Sequence, residues 1–143
     1  MREDHRTRLA RCGCGALSAE TRGEPMHVYL CTCRKCQIQT GSAFSYGAVF
    51  AESDVTISGA HTAYRHTGDT GGWVENHFCP VCGTKVFFSA LGFPGALGVP
   101  VGCFADEADF ARDAALTPQR IYWAERKREW VKGPEGAEEV ERQ

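Results

Sequence analysis

Large and small side chains alternate along Phe44-Ser45-Tyr46-Gly47-Ala48-Val49-Phe50, so that Phe44, Tyr46 and Phe50 fall on one face. Period-two alternation marks a strand with one buried side, and this face is expected in the core. Comparable short runs recur at residues 16–21, 26–30, 55–58, 62–67, 73–78, 85–90, 99–104 and 120–124. Turn residues punctuate them. Gly23-Glu24-Pro25 separates the first two, Gly68-Asp69-Thr70-Gly71-Gly72 predicts a hairpin ahead of Trp73, and Leu91-Gly92-Phe93-Pro94-Gly95 suits no regular element. Helical periodicity is scarce: residues 35–40 predict a short turn of helix and residues 106–115 one short helix before Pro118. The pattern therefore predicts a mainly β fold, built as an antiparallel sheet with few short helices.

A chain of 143 residues suits one domain. Residues 1–10 read as an amino-terminal extension, 11–132 as the folded domain, and 133–143 as a disordered tail, because the last segment is rich in Gly, Pro, Glu and Gln and almost free of aliphatic residues. Hydrophobic content of 43% and charged content of 24% are those of a globular protein. No apolar run approaches the roughly 18 residues of a membrane span, and the charged start runs into Leu9-Ala10-Arg11-Cys12 without a secretory pattern. No membrane contact is expected.

Candidate chemistry lies in the cysteines. Seven of eight form three clusters: Cys12 and Cys14, then Cys31, Cys33 and Cys36, then Cys79 and Cys82. Cysteines one or two residues apart are poorly placed to bridge each other but well placed to put two sulfurs on one metal, and spacing decides for metal over a disulfide framework. A structural zinc closes its tetrahedron with four protein ligands, whereas a reactive zinc keeps three and an open position. The simplest four-ligand set is Cys12, Cys14, Cys79 and Cys82, a structural zinc tying the start of the chain to its middle. Cys31, Cys33 and Cys36 then converge on a second, open Zn²⁺. An iron–sulfur cluster suits the spacing less well. Free thiolates need reducing surroundings, which together with the missing signal points to the cytoplasm.

The net charge of −2 falls to about −5 once seven thiolates hold two Zn²⁺. With a pI near 6.2, nucleic acid is not an expected partner.

The residues Arg11-Cys12-Gly13-Cys14-Gly15, Cys31-Thr32-Cys33-Arg34-Lys35-Cys36 with Gln39-Thr40-Gly41, and Phe78-Cys79-Pro80-Val81-Cys82-Gly83-Thr84 resemble, in order and spacing, the glutathione-dependent formaldehyde-activating enzyme family, whose domain also occurs in centromere protein V. The resemblance runs from about Arg11 to Val131. It implies a zinc-bearing β fold like that of methionine sulfoxide reductase B, with a structural zinc on the paired cysteines and an exchangeable zinc on the triple. It also implies a carbon–sulfur lyase or synthase acting on a thiol adduct, with glutathione and formaldehyde giving S-hydroxymethylglutathione. Family members often carry a histidine after the late proline, where this chain has Gln119 and Arg120. The competing reading is a non-catalytic, zinc-stabilised protein-binding module.

Other residues are weaker candidates. Arg34 and Lys35 suit compensation of a tri-thiolate's negative charge or contact with substrate carboxylates, and otherwise a solvated turn. Arg126, Lys127 and Arg128 form a basic run that reads most simply as a surface face. His27, His61, His66 and His77 are candidates for a proton relay, the plainer reading being ordinary strand histidines. Cys103 shares strand parity with Val99 and Val101 and reads as a buried small hydrophobe, or else as a fourth zinc ligand. Ser42 and Ser45 have no base at motif spacing.

Overall fold

The computed structural model describes residues 6–142, so residues 1–5 of the expected extension and Gln143 of the expected tail lie outside the described residues. Two sheets form the molecule. Strands β1 (Thr7–Arg11), β2 (Ser18–Arg22) and β5 (Val55–Ser58) make a three-stranded antiparallel sheet. The larger sheet uses β3 (His27–Cys31), β4 (Ser45–Ala51), β6 (Thr62–Thr67), β7 (Trp73–Phe78), β8 (Lys85–Ala90), β9 (Ala96–Pro100), β10 (Arg120–Tyr122) and β11 (Glu138–Val140). Its spatial order is β11-β10-β3-β4-β9-β8-β7-β6. One α-helix, α1 (Arg34–Thr40), follows β3.

The core lies where the two sheets face each other. Ala10 and Leu17, with Ala19, meet Ala48 and Phe50 of β4, Val86 and Phe87 of β8, and Val99 of β9, with Val101, Phe104 and Leu116 closing one end. Tyr46 packs against this cluster and donates its hydroxyl to the Leu116 carbonyl. The expected core side of residues 44–50 thus holds at Tyr46 and Phe50. Fully burying side chains of this size contributes about 1.5–3 kcal/mol each.

Several expectations need correction. The large sheet is mixed, not antiparallel throughout, because β10 pairs in parallel with both β3 and β11. Glu138–Val140, in the segment expected to be disordered, forms β11, held by the β10 ladder and by Lys127 to Glu139 at 2.6 Å. Thr7–Arg11, read mostly as extension, is a strand whose Arg8 is only 1% exposed: its guanidinium donates to Asp113, the Gly23 carbonyl and Glu24, so a charged residue is buried with its partners. The run at 99–104 leaves the sheet after Pro100 and turns into a 3-10 segment, Val101–Phe104, which removes Cys103 from any strand parity. The helix expected at 106–115 is two separate 3-10 turns, Phe110–Arg112 and Ala114–Leu116. No described helix is long and apolar enough to cross a membrane.

One face of the large sheet points away from the small sheet. Tyr29 pairs with Gly47, and Gly98 pairs with both Val49 and Phe88. A Cβ at Gly98 would stand 2.3 Å from the Phe88 ring, and one at Gly47 would be 3.1 Å from both Phe88 and the Tyr29 hydroxyl. The two glycines let these aromatic side chains lie down on the sheet.

Candidate metal centres

The first centre joins the ends of two hairpin strands. Cys12 and Cys14 follow β1, Cys79 and Cys82 follow β7, and their four sulfurs all lie within 4.8 Å of one another. The Sγ separations of Cys12 to Cys14 and Cys14 to Cys79 are 3.7 Å. A disulfide would require about 2.05 Å, whereas sulfurs about 2.3 Å from a tetrahedral zinc stand about 3.8 Å apart. An all-sulfur set at that spacing fits a borderline or soft ion such as zinc.

Backbone N–H groups converge on these sulfurs. Leu17 donates to Cys12 Sγ at 3.2 Å, and Val81 and Cys82 donate to Cys79 Sγ at 3.4 and 3.5 Å. The Thr84 hydroxyl sits 3.3 Å from Cys82 Sγ; hydrogen bonds from Thr84, the hydroxyl first, lower the Cys82 thiol to about 5. Such donors favour the thiolate, the form that binds metal. Gly13 N–H donates to Thr84 Oγ1 at 3.2 Å, stitching one cysteine turn to the other.

The second centre is local. Cys31 ends β3, Cys33 is the N-cap of α1 and Cys36 lies in its first turn; the three sulfurs are again within 4.8 Å of one another. Cys36 N–H donates to Cys33 Sγ at 3.4 Å. Hydrogen bonds from the Cys31 and Cys36 thiols hold the Cys33 thiol well below its ordinary range, and the same sharing raises Cys31. Among the described residues no fourth Cys, His, Asp or Glu joins this group.

A rigid frame holds the triple. Thr32, fully buried between Cys31 and Cys33, donates its N–H to the Tyr122 carbonyl and its hydroxyl to the Trp123 carbonyl at 2.7 Å. Gln37 Nε2 spans from the Thr32 carbonyl to that of Arg126, at 2.8 and 3.1 Å. Trp123 itself takes a left-handed φ of 57°, among the described residues the one non-glycine with positive φ. A conformation of that kind costs about 1–3 kcal/mol and persists where its surroundings over-determine it.

Lys85 was not foreseen. A register shift between His77 and Phe78 sets Lys85 opposite Phe78, and its Nζ lies 4.5 Å over the Phe88 ring and 3.1 Å from Gln39 Oε1. Burial pushes the Lys85 ammonium down, while the Cys36, Cys103 and Cys31 thiols oppose that shift. Lys85 is thus a half-buried sheet cation whose charge is felt together with those of Cys36, Cys103 and Cys31. Tyr29 completes the wall: burial first, then the charges of Cys36 and Cys31, raises its hydroxyl.

Of the foreseen cations, Lys35 is half-buried and its charge bears on His66, as does that of Cys33. Arg34 is exposed. Arg120 pairs with Glu138 at 3.0 Å, Arg126 with Asp69 at 3.4 Å and Lys127 with Glu139, so two members of the basic run are neutralised within the chain. Cys103 donates to the Lys85 carbonyl at 3.2 Å and joins neither sulfur group.

The histidines separate. His27 shares a hydrogen bond of 2.9 Å with the Tyr122 hydroxyl in a recess of about 310 Å³ lined also by Gln119 and Arg120. His61 and His77 meet Nδ1 to Nδ1 at 3.1 Å beside another cavity, of about 540 Å³. Burial, with the charges of Lys35 and Lys85, pushes the His66 imidazole down, while Cys33 opposes that shift.

The profile of the family described as "Glutathione-dependent formaldehyde-activating enzyme" matches residues 7–125. A crystal structure of a Rhodobacter sphaeroides protein, a structural-genomics target, is similar to this chain at 24% sequence identity, covering 68% of this chain and 88% of that one with a TM-score of 0.54. That likeness bears on the fold alone.

Proposed function

The chain belongs to the glutathione-dependent formaldehyde-activating enzyme family, a match that spans residues 7–125, and from that premise we propose that it makes or breaks a carbon–sulfur bond in a thiol–carbonyl adduct. Cys12, Cys14, Cys79 and Cys82 hold a structural zinc in this reading, and Cys31, Cys33 and Cys36 hold a second one. The observation that carries it is the second cluster's count: three sulfurs within 4.8 Å and, among the described residues, no fourth Cys, His, Asp or Glu beside them, which leaves a position for a thiol. When bound there, zinc supplies charge that keeps a co-substrate thiol deprotonated at neutral pH.

The rest of the work falls to side chains. Three thiolates on one divalent ion leave a formal charge of −1, and Lys85, desolvated over Phe88, offsets it. Thr32 and Gln37 fix the positions of Cys31 and Cys33 through carbonyls of the 122–126 segment. Tyr29, which feels the charges of Cys36 and Cys31, and Phe88 meet over Gly47 on the sheet face that leads to Cys31. The reaction balances without an oxidant: the sulfur of glutathione adds to the formaldehyde carbon, the C=O π bond breaks, and the thiol proton ends on oxygen, giving S-hydroxymethylglutathione. The lyase direction is its reverse. Seven cysteines kept reduced as metal ligands suit a reducing compartment such as the cytoplasm.

Native mass spectrometry of zinc-loaded protein tests the assignment. Two zincs per chain are expected, with glutathione adding to or displacing the second, and exchange NMR with isotope-labelled formaldehyde should show faster adduct turnover than buffer. Two zincs indifferent to glutathione, with no acceleration, would overturn the enzyme reading in favour of a binding module.

A further inference from the structure

Among the described residues, three buried side-chain polar atoms have no hydrogen-bond partner: Thr21 Oγ1, His66 Nδ1 and Asn76 Oδ1. Two of these belong together. In the β6–β7 ladder Tyr64 stands opposite Asn76 and His66 opposite Val74, which makes His66 and Asn76 diagonal neighbours on one face. Asn76 also stands opposite Phe88, so this is the face that continues over Gly98 and Gly47 to Tyr29 and Cys31. The sheet curls: although β6 and β3 are separated by four strands, the charges of Lys35, Cys33 and Lys85 bear on His66. The Arg126–Asp69 pair links the tip of the β6–β7 hairpin to the frame behind the triple.

A buried polar group without a partner destabilises a fold, and each one calls for a reason. Asn76 is 3% exposed, and its orphaned oxygen can only accept. Beside it, a neutral His66 with its proton on Nδ1 can only donate through that atom. One hydroxyl group satisfies both, giving its hydrogen to Asn76 Oδ1 and taking the His66 N–H on its lone pair. An aldehyde oxygen has no hydrogen to give, and a thioether sulfur has none either and accepts only weakly.

We propose that His66 and Asn76 form the subsite for the hydroxyl of a hemithioacetal, the adduct R–S–CH₂–OH, beside the sulfurs of Cys31, Cys33 and Cys36. This rests on the carbon–sulfur reading above and adds the group that tells adduct from its precursors. Because the hydroxyl hydrogen appears only as the carbon–sulfur bond forms, the pair binds product-like states more tightly than free aldehyde. A site built around a hydroxyl rejects analogues lacking one far more strongly than an apolar pocket discriminates by size.

The test compares binding of glutathione equilibrated with formaldehyde against S-methylglutathione, by calorimetry on the zinc-loaded protein. Wild type should prefer the hydroxymethyl adduct at least 10-fold. Asn76→Leu, close in shape and without an orphaned acceptor, should lose that preference while its Tm stays level or rises by a few degrees. His66→Phe should lose the preference as well and still bind S-methylglutathione. A fall in Tm for Asn76→Leu would show that the amide is satisfied inside the fold and would overturn the subsite. Equal binding of both ligands by wild type, or a preference that survives Asn76→Leu, would also overturn it while leaving the thiol reading intact. No binding of either ligand would remove that reading and the subsite with it.

Discussion

If the two sulfur groups have different tasks, serine substitution should separate them. The quartet closes a long loop, Cys14 and Cys79 being 65 positions apart. Releasing a cross-link over a loop of that length returns about 4 kcal/mol of entropy to the unfolded chain. Unfolding entropy of about 2.1 cal/mol/K per residue, taken over 143 residues, converts this into a Tm lowered by about 13 °C. The triple spans five positions, for which the same relation returns about 2 kcal/mol and half the shift. Cys33→Ser has a further compensation: Cys33 is the N-cap of α1, accepting from Cys36 N–H, and serine is a good N-cap. The assay is thermal unfolding of wild type, Cys79→Ser and Cys33→Ser, each with its bound zinc measured by release under denaturation. Cys79→Ser should lose one zinc and the larger share of Tm, and Cys33→Ser one zinc with a small shift and its thiol chemistry gone. Equal falls in Tm would refute the division into a structural and a reactive centre.

Further outcomes follow from other parts of the structure. Arg8→Ala takes from the buried Asp113 its nearer cation, leaving Arg6 at 3.4 Å, and from the Gly23 carbonyl its donor, and should destabilise by up to about 3 kcal/mol in urea unfolding; a loss below 1 kcal/mol would contradict the buried pair. The hydrogen bond from Arg8 holds the Asp113 carboxyl below its ordinary range. Its stabilisation is therefore complete above the unfolded value of about 3.9 and disappears as pH falls through the lower folded value, so the acid-unfolding midpoint should move upward in Arg8→Ala. Gly98→Ala puts a methyl into the Phe88 ring, which must leave its place under Lys85; we expect a cost of about 1–3 kcal/mol and a drop in turnover, read by thermal melts and exchange NMR. Gln37→Ala removes the brace between the Thr32 and Arg126 carbonyls and should weaken the second zinc about 10–100-fold in chelator competition, leaving the first unchanged.

Local pattern alone was enough for most of the strands and for grouping the sulfurs. Period-two alternation located β4, β6, β7 and β8 because a strand's face assignment depends only on neighbours in sequence. Cysteine spacing grouped Cys31, Cys33 and Cys36 for the same reason, since a β3 end and one helical turn suffice to bring them together. Pairing Cys12 and Cys14 with Cys79 and Cys82 was legible only through ligand counting.

What surrounds the triple was decided in three dimensions. Lys85 comes to stand opposite Phe78 through a register shift that no periodicity announces, and His66 feels Cys33 although four strands separate β6 from β3. Arg8 fell in the segment read as an extension because its partners Asp113 and Glu24 lie 105 and 16 positions away. Cys103 looked like a strand residue until Pro100 ended β9 and the chain turned into 3-10 geometry. Glu138–Val140 looked disordered because a parallel edge strand takes its hydrogen bonds from a distant ladder and needs little hydrophobicity of its own. Sequence determines the donors and the strands that carry them, since both are properties of a few adjacent residues. Only the tertiary fold decides which charges, aromatic walls and unpaired polar atoms those donors meet, because that depends on sheet register and curvature summed over many strands.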